Sequence, residues 1–172
     1  MTGKKYIQLA QNLLQKKDKN KDSFEAEIRA ALSRYYYGLL HCAIDKLIQI
    51  NREEFESLKE NLTNPIPDRS IHTSVISSVK SKNSIVGTSL DIARELRVLS
   101  DYHFDKLILK FPLKVKDKNF SSKDDILTFL NDVENKINRL QNKKDIGLRA
   151  DIKGLDNLTN LLKLKKWKRK ML

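Results

Sequence analysis

The sequence predicts an all-α protein, a bundle of four or five main helices with a basic C-terminal helical appendage. Three observations carry this. Apolar residues recur every three or four positions over most of the chain's 172 residues. Gly and Pro are sparse, at five and three, which argues against turn-dense β-sandwiches, collagen-like chains and linker-rich disorder. Hydrophobic residues make up 40% and charged residues 33%, enough apolar surface for a core inside a polar shell.

The elements follow in order. Residues 4–17 place Tyr6, Ile7, Ala10, Leu13 and Leu14 on one helical face. The lysine-rich stretch 16–21 breaks that helix, and Asp22 with Glu25 resembles a capping box opening the next. That second helix spans about 23–50, with a continuation toward Leu58, and its stripe runs Phe24, Ile28, Ala31, Leu32, Tyr35, Leu39, Ala43, Leu47, Ile50. Residues 61–70 hold two of the three prolines and read as a loop. A short helix over 71–82 uses Ile71, Val75, Ile76 and Val79, and a long one over about 85–109 buries Leu90, Ala93, Leu96, Val98, Leu99, Tyr102 and Leu107. Phe111-Pro112 ends it. Residues 113–121 read as a polar loop, at most a short strand at Leu113–Val115. Ser122 with Asp125 caps a last bundle helix, whose Ile126, Leu130, Val133, Ile137 and Leu140 repeat at heptad spacing. The bundle is assigned to 1–145, and 146–172 to the appendage, broken by Gly147 and Gly154 and amphipathic from Leu155.

The net charge is +12, and +7 of it falls in residues 143–172. An anionic partner suits such a distribution. Lys163, Lys165, Lys166, Lys168, Arg169 and Lys170 can neutralise phosphates while Trp167 stacks on a base. The same segment could instead lie on an anionic membrane or dock its leucine face on a partner helix. No apolar run reaches the ~20 residues that span a bilayer, the N-terminus lacks the apolar core of a signal peptide, and Cys42 stands alone, so a reducing, cytoplasmic setting is expected. Cys42 reads as core filling.

Several chemistries are not signalled. No glycine loop cradles phosphates, the histidines His41, His72 and His103 with Cys42 lack zinc spacing, and no nucleophile elbow is visible. No metal or other cofactor is expected.

Two segments stand out. In residues 25–45, Tyr35, Tyr36 and Tyr37 sit in mid-helix between Arg34 and His41. Those two are seven apart, within about 20° of one another on a helix. They read either as a catalytic pair or as a buried polar pair joining the long helices, with Tyr36 and Tyr37 around it and Asp101 and Tyr102 as partners. Gly38 lies between them, about 1 kcal/mol less favourable in a helix than Ala, and admits close approach of another helix. In residues 93–105, Arg97 and Asp101 are four apart and can pair. His103 lies about 120° from Arg97 on a regular helix, so those two meet only through distortion or across two subunits.

Together these segments resemble the HEPN family. Ser33, Arg34, Tyr36, Tyr37 and His41 match a Ser-Arg-x-Tyr-Tyr-x-x-x-His motif on an early long helix. IHTSVISSVK, with His72, matches a histidine before an apolar helix, and Leu96, Arg97, Asp101 and Tyr102 match a late Leu-Arg…Asp-Tyr stretch. The resemblance covers roughly residues 5–140 and not the tail. It implies a helical bundle, often a homodimer, and for many members a metal-independent endoribonuclease of toxin–antitoxin, CRISPR-type or anti-phage systems, with an antitoxin or complex subunit as protein partner. In that mechanism a histidine moves a proton and an arginine stabilises charge on the scissile phosphate. The catalytic candidates are then Arg97 with His103, or Arg34 with His41. Val98 stands where a polar residue usually follows the arginine, and the Asp101-Tyr102 pair looks like a branch without a catalytic histidine. The alternative is a non-catalytic HEPN-like subunit or adaptor that binds RNA or a partner protein.

Overall fold

In a computed structural model of the chain, residues 3–15, 21–63, 70–102 and 111–141 are described. Six helices and one hairpin occur among them: α1 Gly3–Gln15, α2 Lys21–Ile50, α3 Arg52–Thr63, α4 Ile71–Lys82, α5 Ser84–Tyr102, β1 Leu113–Val115, β2 Lys118–Phe120 and α6 Lys123–Asn138. The all-α bundle expected from the sequence is what is seen. No described helix is long and apolar enough to cross a membrane.

The centre is α2, which touches each of the other five helices. Its apolar residues explain this. Ile28, Ala31, Leu32, Tyr35, Tyr36, Leu39, Leu40, Ala43, Ile44 and Leu47 are all buried, a stripe too broad for one neighbour to cover. On α6 the heptad positions Ile126, Leu130, Val133 and Ile137 are buried as expected, as is Leu140 just past its end, each contributing about 1.5–3 kcal/mol by leaving water. Tyr35 ties three helices together. Its hydroxyl donates to Asn131 Oδ1 on α6, and Gln11 Nε2 on α1 donates to the same oxygen at 3.1 Å.

Two helix starts differ from the sequence reading. α2 begins at Lys21, two residues before the start expected at about 23. The continuation toward Leu58 is a separate helix, which raises the helix number to six. Asn51 makes the division. Its Oδ1 accepts from Glu54 N at 3.4 Å and its Nδ2 donates to Glu54 Oε2 at 3.1 Å, a reciprocal cap for α3. At α6 the expected cap is present, with Ser122 Oγ accepting from Asp125 N at 3.1 Å.

The stretch 113–121 is more ordered than a loop. β1 and β2 pair antiparallel with Leu113 opposite Phe120 and Val115 opposite Lys118. Phe120 is buried, 5.4 Å from the Phe129 ring on α6, which seats the hairpin on the bundle. Lys116 takes the turn at φ 52° and ion-pairs with Asp91 on α5 at 2.6 Å.

Gly38 does what its position suggested. A Cβ there would lie 2.5 Å from Ile7 Cγ1 and 2.9 Å from the Gly3 carbonyl oxygen of α1. The backbones of α1 and α2 meet at this point because neither glycine carries a side chain.

Candidate functional site

The two motif segments converge where α2, α4 and α5 pack. Arg97 is the centre of the cluster, its side chain only 14% exposed. Its Nη2 donates to the Tyr37 hydroxyl at 3.0 Å and to the Tyr102 hydroxyl at 3.3 Å. Its guanidinium carbon lies 5.4 Å from the centre of the Tyr37 ring and 5.1 Å from that of Tyr102. Asp101 Oδ2 sits 2.6 Å from Nε, the i,i+4 pair that the spacing predicts, and Ser33 Oγ donates to that carboxylate oxygen at 3.3 Å. Tyrosines from both motifs thus clasp one arginine, and a carboxylate balances its charge.

A second group abuts the first. The Tyr36 hydroxyl and His72 Nδ1 are 2.9 Å apart. The His72 ring lies 5.5 Å from that of Tyr36 and 5.9 Å from that of Tyr37. Burial, then the charges of Arg97 and Arg94, hold the His72 pKa below the usual histidine value. Both causes favour the neutral imidazole over the charged one. Burial likewise pushes the Tyr36 hydroxyl well above the usual tyrosine value, so it keeps its proton.

The end of α5 is held from outside. Arg29 of α2 is buried and donates through Nη1 to the carbonyls of Leu99 and Ser100 at 3.1 and 3.2 Å, while Glu25 Oε1 lies 2.7 Å from its Nη2. A cation from another helix thus occupies the carbonyl end of α5. The chain just after these carbonyls carries Asp101 and Tyr102.

The candidates from the sequence fare differently. Arg97, Asp101, Tyr37 and Tyr102 come together, with Tyr36 one contact away through His72. Arg34 and His41 do not form the buried pair that their shared face suggested. Arg34 is exposed and donates to the Ala30 carbonyl of its own helix at 3.3 Å. His41 is half-buried and stacks on Tyr6 of α1, ring centres 5.7 Å apart and planes 7° from parallel. The physical reason is coverage: α1 lies over the face at Gly38 and His41 and leaves it open at Arg34. Asp101 and Tyr102, expected as partners of that pair, serve Arg97 instead. His103, the appendage 146–172 and its Lys163, Lys165, Lys166, Trp167, Lys168, Arg169 and Lys170 lie outside the described residues. Cys42 is half-buried against the core, and burial first, then Glu134 and Asp45, push its thiol up to about 11.

His72 and Ser33 were named from the sequence only as matches to the family pattern, with no role at the site. A signal for His72 was present: it shares the helical stripe of Val75, Ile76 and Val79, all buried, and so faces the core. Comparison of the chain with protein-family models, curated proteins and solved structures finds no match.

Proposed function

We propose that this chain is a HEPN-like RNA-binding protein and that Arg97 is the residue by which it holds a backbone phosphate. The supporting observation is the convergence of both motif segments on one guanidinium, at the end of α5 where Tyr102 is 64% exposed. A net charge of +12, weighted to the C-terminal segment, supplies long-range attraction for a polyanion. In the enzymatic form of this reading the protein is a metal-independent endoribonuclease. Arg97 stabilises charge on the scissile phosphate and His103 moves the proton. A bacterial toxin–antitoxin, anti-phage or CRISPR-type role, and a homodimer, follow from the resemblance alone.

A second reading is a non-catalytic subunit or adaptor. Asp101 favours it: a carboxylate 2.6 Å from Arg97 neutralises much of the charge that a scissile phosphate would need.

The test is cleavage of purified RNAs by the whole chain in EDTA, beside Arg97→Ala and His103→Ala proteins of native circular dichroism. Cleavage abolished by both variants supports the nuclease. Salt-sensitive RNA binding without cleavage supports the subunit. Absence of RNA binding at low salt overturns the proposal.

A further inference from the structure

A groove of about 670 Å³ lies between α2 and the end of α5, with Glu25, Ala26 and Ala30 on one side and Ser100, Asp101 and Tyr102 on the other. Arg29 lines it as well. Its charges are sorted by depth. Glu25 pairs with Arg29 at 2.7 Å, and the two side chains are 18% and 9% exposed. Asp101 pairs with Arg97 at 2.6 Å, and those side chains are 25% and 14% exposed. In each pair the carboxylate is the more accessible member and the guanidinium the deeper one. A solute entering the groove therefore meets two carboxylates ahead of the cations that balance them. The carbonyl end of α5 adds partial negative charge at the same place. In a chain of net charge +12 this is a locally acidic face.

The groove also offers room and a ring. Ala26 is exposed and Ala30 half-buried, one turn apart on α2. Both side chains stop at Cβ, which leaves space for the apolar stem of a long side chain. Tyr102 is 64% exposed, and it is the aromatic one of the three large apolar side chains exposed among the described residues. A planar ring beside carboxylates is the setting that suits a guanidinium, which stacks on the one and donates to the others. Tyr and Arg are also the residues that anchor protein interfaces most often. A phosphate entering here would face the two carboxylates first, so this groove does not suit nucleic acid.

We propose that the groove receives an arginine side chain of a partner protein. The stem lies over Ala26 and Ala30, and the guanidinium sits at the acidic mouth beside Tyr102. This goes beyond the RNA-binding reading and does not depend on it, because the ligand is a cation on a protein and the contact serves a nuclease and a subunit alike.

The test is an NMR titration of the full chain with the blocked peptide Ala-Ala-Arg-Ala-Ala. A peptide with neutral citrulline in place of arginine and an oligouridylate serve as comparisons. The arginine peptide should move the amide signals of Ala30, Asp101 and Tyr102 saturably, and the citrulline peptide should leave them still. Ala26→Leu alters an exposed position, so the fold survives while the groove is filled, and the response should vanish. Tyr102→Ala should weaken the peptide about two- to fivefold, the worth of a cation–π contact at an exposed site, while Tyr102→Phe stays near wild type. No response to the arginine peptide at millimolar concentration overturns the proposal. An equal response to the citrulline peptide overturns the cationic assignment, and an equal response in Ala26→Leu overturns the groove as its location. If the oligouridylate moves these signals and the peptide does not, the surface belongs to RNA and the protein partner is ruled out here.

Discussion

The Tyr36 hydroxyl on α2 and His72 Nδ1 on α4 lie 2.9 Å apart, which joins the first motif to a helix that neither motif segment contains. Tyr36→Phe keeps the buried ring and removes the donor. The loss should be about 1 kcal/mol in urea unfolding, because Nδ1 is left without its partner. Imidazole nitrogen shifts of His72 should lose their preference for the Nε2–H tautomer. An unchanged tautomer would show that Tyr36 does not set it.

Two histidines make stability depend on pH. Burial lowers the pKa of His41, and burial with Arg97 and Arg94 lowers that of His72. A histidine whose folded pKa lies below its unfolded value of about 6.5 takes up its proton more readily when unfolded, so stability falls as pH drops below that value. The thermal midpoint should decrease between about pH 7 and pH 5. His41→Phe, which keeps a ring against Tyr6, should reduce the slope, and a slope unaltered by this change would remove His41 from the account.

Arg29 joins the Glu25 carboxylate to the last carbonyls of α5. Arg29→Met preserves much of the stem's volume but strands a largely buried carboxylate. The expected cost is about 3 kcal/mol, as for other buried pairs broken from one side. Amide exchange at the end of α5 should accelerate more than that of α6. Equal acceleration in both helices would mean that Arg29 supports the bundle in general rather than this helix end.

Gly38→Ala should destabilise despite the better helix propensity of Ala. Propensity favours it by about 1 kcal/mol, but the new Cβ would meet Ile7 Cγ1 at 2.5 Å and the Gly3 oxygen at 2.9 Å. The second of these atoms is backbone and yields only if α1 moves. Overpacking of this kind costs about 1–3 kcal/mol, so the denaturant midpoint should fall. A rise would show that α1 slides without penalty.

Helices with a one-sided apolar repeat were legible. The stripe of α6, the bounds of α4 and the Ser122–Asp125 cap are each set by neighbours in sequence. The second strand was not. Lys118–Phe120 is three residues long, and its turn uses Lys116 at positive φ where Gly or Asn would have announced it. The break before α3 carried a signal, Asn51 with Glu54, masked by the apolar residues that continue toward Leu58. At the site, Arg97 with Asp101 was readable because i,i+4 places them together. Tyr36 with His72 was not, since residues 36 positions apart meet only through the packing of α2 on α4. Arg34 and His41 share a face as the helical angle requires, but which part of that face α1 would cover was not written in the spacing.

The hold of Arg29 on Leu99 and Ser100 bears on how the neighbouring tyrosine works. A helix end in water frays, and a ring carried there samples many orientations. Here the last turn of α5 is moored to the central helix by a buried guanidinium, so the backbone that carries Arg97, Asp101 and Tyr102 is fixed before any ligand arrives. Little ordering entropy then remains to be lost on association, which is the general advantage of a preorganised recognition surface. If RNA binds at this corner of the bundle as proposed, its affinity would depend in part on a residue that the ligand need not touch.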